Sequence, residues 1–282
     1  MRQRLIVFLF CLLLPIAGWT QKQHVDAIRR VLLDPAGRVL VAAHRAEHHR
    51  YPENSLKAIQ AAIDLGVDIV EIDVKVSKDG VPFLMHDKTM DRTTNGKGDP
   101  EELTWSELQK FVIIDKGKRT ALKIPSLEEA LGVAEGKILV DLDLKTDRIE
   151  SILKVIRKTE TKDIVFFFDS DYAILSAIHK ADPDFMIMPR AHRYTETDSA
   201  IVLFDPPVVH IDESFYSPET IQLIKESYAR AWINALGQPD DDIRKGKEKR
   251  ALKKLLEHGA SIIQTDEPEK VMKALAENGW EQ

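Results

Sequence analysis

Glu71-Ile72-Asp73 sets two carboxylates two residues apart. On a β-strand they share one face, roughly 6.6 Å apart by backbone rise, with Ile72 on the other. Val140-Asp141-Leu142-Asp143-Leu144-Lys145 repeats the pattern: both acids and Lys145 lie on one face, and Val140, Leu142 and Leu144 on the other. Acids buried side by side repel one another unless a cation neutralises them. A hard divalent ion such as Mg²⁺ or Ca²⁺ does so through oxygen ligands. Taken singly, each stretch also fits a half-exposed strand with its acids in solvent. His44-Arg45 and His86-Asp87 add two imidazoles, which transfer protons near neutral pH, and a guanidinium suited to bidentate phosphate binding. Histidines, a carboxylate-bound metal and nearby cations together make a phosphoryl-transfer site.

Short apolar runs read as the strands that must carry these groups: residues 39–44, 67–75, 81–86, 137–145, 163–168, 185–188, 207–212, 229–234 and 261–265. Helical patterns separate most of them, at 56–65, 148–158, 171–180, 218–227, 244–258 and 268–278. Ser126-Leu127-Glu128-Glu129 has capping-box spacing. Alternation of this kind over about 250 residues predicts an α/β fold, a single (β/α)₈ TIM barrel. Residues 87–125 exceed a usual βα connection and read as a small insertion over one barrel end. A barrel needs eight strands, so one of the nine is extra, and 81–86 is the candidate. A two-residue Asp79-Gly80 turn would pair Lys78 with Val81, making a hairpin that sets His86 opposite Asp73. His44 ends the first strand, where barrel enzymes place their functional groups.

The chain has 282 residues, 44% of them hydrophobic and 30% charged, which is a globular composition. Arg2 and Arg4, the apolar run Leu5–Ala17 and the small or polar Gly18 and Thr20 read as an export signal over residues 1–21. Residues 22–282 are then the working protein, periplasmic or secreted, with no stable membrane insertion after cleavage. The only cysteine, Cys11, lies in that run, so the remainder has no disulfide and no thiolate metal site. The net charge is −6 overall and −8 beyond residue 21, which argues against a nucleic-acid partner. The expected partner is a small molecule, bound by a monomer or small homo-oligomer.

Ala43-His44-Arg45, Pro52-Glu53-Asn54-Ser55, Glu71-Ile72-Asp73-Val74, Ser77-Lys78-Asp79-Gly80, His86-Asp87 and Arg92-Thr93-Thr94-Asn95-Gly96 occur in this order. Asp143-Leu144-Lys145, Trp232-Ile233-Asn234 and Gln264-Thr265-Asp266-Glu267-Pro268 follow. Over about residues 38–280 the set resembles the glycerophosphodiester phosphodiesterase family. The resemblance implies a TIM barrel with a small insertion. It implies divalent-cation-dependent hydrolysis of a glycerophosphodiester to glycerol 3-phosphate and an alcohol. It also implies roles: His44 and His86 as the acid–base pair, Glu71, Asp73 and Asp143 as metal ligands, Arg45 and Lys145 on the phosphate, and Glu53 and Trp232 lining the site.

Two positions depart from the family pattern. His-Arg-Gly reads His-Arg-Ala here, and Ala46 is strained if that position needs a positive φ. The third acid, usually Glu, is Asp143, one methylene shorter, with Asp141 on the same face as a substitute. His48, His49 and His192 read as loop residues. His210, on a strand face with Asp212, suits either substrate contact or core packing. Two other functions compete with the first. One is a phospholipase-like enzyme with an apolar rim around Trp105 and Phe111–Ile114, although these side chains are better used in packing the insertion. The other is a non-catalytic binding protein on the same barrel.

Overall fold

The computed structural model describes residues 24–280; the proposed export signal, and Cys11 with it, lies outside them. Eight parallel strands close into a barrel: β1 (Leu40–Ala43), β2 (Ile69–Val76), β4 (Leu139–Leu144), β5 (Val165–Asp169), β6 (Met186–Ala191), β7 (Val208–Ile211), β8 (Arg230–Asn234) and β9 (Ile262–Thr265). β1 pairs with both β9 and β2, which completes the circle. β3 (Pro82–Leu84) is the extra strand, antiparallel on the outer part of β2. Helices connect the strands and cover the outside, where Ile72, Val74, Leu142 and Leu144 are buried. Ser126 and Glu129 cap the helix Leu127–Ala134 reciprocally, as their spacing predicts.

The hairpin differs from its expected register by one residue. Ser77 N–H bonds Val81 O, and Gly80, at φ +90°, closes a three-residue turn. Val74 therefore faces Leu84, and Met85 N–H, not His86, meets the Asp73 carbonyl. A one-residue slip moves side chains to opposite faces. His86, two residues beyond the strand's end at Leu84, still reaches the barrel mouth, where it lines the cavity. The expected helix 244–258 is broken: one helix ends at Arg244, the next starts at Glu248, and Gly246 turns between them at φ +76°. The helix Tyr194–Phe204 was not legible, because its exposed side carries Val202 and Leu203 and blurs the amphipathic pattern.

The insertion has its own core of Phe83, Met85, Met90, Leu108 and Ile124, with Trp105 and Phe111 packed against it. Trp105 and Phe111 thus serve this core, Ile113 is buried, and none of the five apolar side chains at 105 and 111–114 stands fully exposed. No helix among the described residues is long and apolar enough to cross a membrane.

The lower end of the barrel is closed by Arg230, which is 1% exposed. Its guanidinium donates to the carbonyls of Val31, Arg38 and Ser261, at 2.6, 2.6 and 2.8 Å, and so ties residues 24–38 to the barrel floor. Burial lowers its pKa to about 10, which still leaves it charged at neutral pH. Replacing it with methionine fills the space but strands three carbonyls. Urea denaturation of Arg230→Met should show a loss of about 3 kcal/mol, the scale for breaking a buried charged network. Metal affinity at the opposite end should not change. A loss below about 1 kcal/mol, the scale of an exposed pair, contradicts this role.

Candidate active site

The parallel register of β2 and β4 sets Glu71 beside Asp141 and Asp73 beside Asp143, all pointing into the barrel. Glu71, Asp73 and Asp141 are fully buried, and Asp143 is partly so. Carboxylate oxygens of Glu71, Asp73 and Asp143 lie within 4.8 Å of one another, the one such acidic cluster among the described residues. Asp141 lines the same cavity but stands outside the cluster. Burial first, and then mutual repulsion, raises the pKa of Glu71 and Asp141 well above the usual carboxylate range. Asp143 rises to about 6 by burial, with Lys145 opposing the shift.

Two cations answer the four acids. Lys145 Nζ sits 2.7 Å from Asp143 and 3.4 Å from Asp73, and Arg45 Nε is 3.6 Å from Asp73. Burial works against the charge of Lys145, but Asp143 and Asp73 outweigh it and raise its pKa. Arg45 is shared with Glu53, so the acids outnumber the cations that face them. Glu71 Oε1, Asp73 Oδ1 and Asp141 Oδ1 are buried with no hydrogen-bond partner. Hard oxygen donors, three of them unsatisfied, among acids that outnumber their cations fit a divalent cation.

The loop after β1 supplies the facing wall. Arg45 and Ala46 are consecutive left-handed residues, at φ +52° and +65°. Alanine therefore does occupy the strained conformation that its sequence position implied, at about 1–2 kcal/mol. The bend turns the Arg45 N–H onto Glu71 Oε2 at 2.7 Å and its carbonyl onto Asn54 N at 3.1 Å. Asn54 then holds Asp73 twice, donating to Oδ2 at 2.7 Å and accepting from the Asp73 N–H at 3.0 Å.

Both histidines have a carboxylate behind Nδ1: His44 has Asp266 at 2.8 Å, and His86 has Asp87 at 2.8 Å. This leaves each Nε2 as the nitrogen available to the cavity. Burial lowers the His44 pKa, and the Asp266 hydrogen bond offsets part of that shift. Asp266 itself stays ionised, down to about 2: burial opposes its charge, and His44 and Arg244 outweigh burial.

His44, Arg45, Glu71, His86, Asp143 and Lys145 line one open cavity of about 260 Å³. Phe168, Arg190, Asn234, Leu236 and Gln264 form its far wall. Seven of the nine sequence-derived site residues are thus brought together directly or, for Asp73, through the cluster. Glu53 lies one step back, bonded to Arg45 and Arg92. Trp232 is fully buried a layer below, where its indole N–H reaches Asn234 at 3.2 Å and Gln264 at 3.3 Å. His210 joins it in the core, 3.0 Å from Asn234, and burial lowers its pKa to about 4. Asp212 diverges from it to hold Arg190 and His192. His48 and His49 bond the His44 carbonyl and Glu267, in the rim beside the site. Sequence reasoning gave no role to Asp266, Asn54, Asn234, Gln264 or Arg190. An imidazole that must keep one tautomer needs an Nδ1 partner, which was the one available signal for Asp266.

A glycerophosphoryl diester phosphodiesterase family model matches residues 44–270. A glycerophosphodiester phosphodiesterase of Caldanaerobacter subterraneus is 32% identical over 162 residues, covering 53% of this chain and 65% of that protein. The chain thus spans just under two thirds of that relative's length. A glycerophosphoryl diester phosphodiesterase structure from Parabacteroides distasonis superposes with a TM-score of 0.77 at 25% identity, over 90% of this chain and 92% of that one. An Oleispira antarctica phosphodiesterase in complex with the product sn-glycerol-3-phosphate shares the fold, with a TM-score of 0.73 at 24% identity, over 85% and 97% of the two chains.

The raised acids give the metal-free protein a pH signature. A carboxyl with a raised folded pKa contributes stability below its unfolded value and loses it as pH rises through the folded value. For Asp143 that window runs from its usual 3.8 to about 6. Metal should therefore raise the melting temperature more at pH 7 than at pH 4, in scans with and without chelator. Asp143→Asn should shrink the pH 7 difference more than Asp141→Asn does. A larger effect of metal at pH 4, or the reverse order of the two variants, contradicts the site.

Proposed function

The chain belongs to the glycerophosphoryl diester phosphodiesterase family, and on that premise we propose that it hydrolyses glycerophosphodiesters to glycerol 3-phosphate and an alcohol. The observation that carries this reading is one cavity walled by two carboxylate-backed imidazoles, an acidic cluster, Arg45 and Lys145. Glu71, Asp73 and Asp143 would hold a divalent cation, Mg²⁺ or Ca²⁺, which when bound supplies positive charge for the phosphoryl oxygens. Arg45 and Lys145 bind the phosphate from either side. His44, whose pKa burial lowers, accepts a proton from the attacking water as its oxygen forms the new bond to phosphorus and the bond to the alcohol oxygen breaks. His86 gives a proton to the departing alcohol oxygen, so the products leave as glycerol 3-phosphate and the neutral alcohol. Asp266 and Asp87 keep the two rings in place.

Intact lipids are the weaker substrate class, because the apolar side chains of the insertion face its own core. Residues 1–21 would direct export to the periplasm or beyond, with a mature start between about residues 18 and 22. N-terminal sequencing of the exported protein decides this, and a start at Met1 contradicts it.

A panel of glycerophosphodiesters, with chelator and with each divalent ion, tests the function through release of glycerol 3-phosphate. Release should stop with chelator and return with Mg²⁺ or Ca²⁺. His44→Ala and His86→Ala should each lower kcat by at least about 10²-fold while the protein stays folded. Full activity of a verified metal-free preparation, or of folded His86→Ala, contradicts the reading.

A further inference from the structure

Arg92 lies in the insertion, outside the cavity wall, with its side chain half exposed. Its guanidinium nevertheless holds two carboxylates at once. Nε and Nη2 donate to Asp87 at 2.6 and 2.9 Å, and Nη1 and Nη2 donate to Glu53 at 2.6 and 2.7 Å. Asp87 Oδ1 is the partner of His86 Nδ1, and Glu53 Oε1 is the partner of Arg45 Nη1 at 3.0 Å. The other imidazole has a matching arrangement. Arg244 donates to Asp266 at 3.0 Å, and Asp266 backs His44.

We propose that Arg92 and Arg244 are the positioning residues of the two imidazoles, with Arg92 also aligning the phosphate-binding Arg45 through Glu53. The proposal rests on the functional reading above for its kinetic arm. Exposed ion pairs contribute little to folding, so four short bonds at a half-exposed guanidinium are better explained by geometry than by stability. Without Arg92, Glu53 and Asp87 are two adjacent anions with nothing between them. Each then loses the second contact that fixes its rotamer, and His86 and Arg45 lose their alignment with it. Lysine offers a point charge and cannot bridge two carboxylates in bidentate fashion. Small misplacements of catalytic groups cost up to about 10²-fold in rate.

The test uses full-length, metal-loaded protein. Arg92→Ala should keep its melting temperature within a few degrees and lower kcat by about 10-fold or more, with a rise in KM from the Arg45 arm. Arg244→Ala should lower kcat with KM unchanged. Combining Arg92→Ala with Asp87→Asn should add little to Asp87→Asn alone, whereas combining it with Asp266→Asn should multiply the losses. Added guanidinium should restore part of the kcat of Arg92→Ala, and Arg92→Lys should stay impaired. Unchanged kcat, equal multiplication in both pairs, or full activity in Arg92→Lys overturns the proposal. A second arm needs no turnover: NMR should show the Nδ1 proton of His86, hydrogen-bonded to Asp87, protected from exchange in the wild type, lost in Arg92→Ala and kept in Arg244→Ala. If the wild type releases no glycerol 3-phosphate, the functional reading fails, and this proton alone decides the positioning. Its persistence in Arg92→Ala overturns the proposal.

Discussion

The pairing of Glu71 with Asp141 and of Asp73 with Asp143 across two parallel strands is the constraint around which the mouth of the barrel is built. Strand alternation forces all four carboxylates inward once Ile72, Val74, Leu142 and Leu144 take the helix-covered face. Four acids at strand spacing in a buried wall repel, and burial raises the pKa values of Glu71, Asp141 and Asp143 in the metal-free protein. Nearby groups answer that charge in turn. Lys145 comes from the same strand face, Arg45 is bent over Glu71, and Asn54 fixes Asp73 by two hydrogen bonds.

Backbone strain is accepted where it serves this wall. Consecutive left-handed residues at Arg45 and Ala46 let one residue offer its N–H to Glu71 and its guanidinium to Glu53. Strain kept at a site in this way persists only when the surroundings over-determine it, and the Asn54–Arg45 backbone bond and the burial of Ala46 do so. The lower end of the barrel is held by a different device, the Arg230 network, which separates stability from chemistry along the barrel axis.

The barrel was legible because its signals are local. Apolar strands alternate with capped helices, and E-x-D and D-x-D-x-K have a meaning fixed by strand periodicity. The inward-facing acids were legible for the same reason, whereas the choice of Asp143 over Asp141 and the pairing of His44 with His86 came only with the family resemblance. The hairpin register was not, since Asp79-Gly80 serves a three-residue turn as well as a two-residue one, and only the Ser77–Val81 bond distinguishes them. Trp232 looked like a lining residue from its motif, but its strand position puts it one layer beneath Asn234 and Gln264. Asp266, Arg92 and Arg244 acquire meaning only through contacts between distant segments. No periodicity records that Asp266 stands behind His44, 222 residues away.

Glu71, Asp73 and Asp143 would together form one divalent-cation site at the mouth of this barrel. Anomalous diffraction from crystals soaked in Mn²⁺ tests it most directly, because Mn²⁺ takes the oxygen ligands that suit Mg²⁺ and Ca²⁺ and reports its own position. A single strong peak is expected within coordinating distance of those three carboxylates, absent from crystals of Asp73→Asn. No peak there in the wild type, or a peak held by other residues, would contradict it.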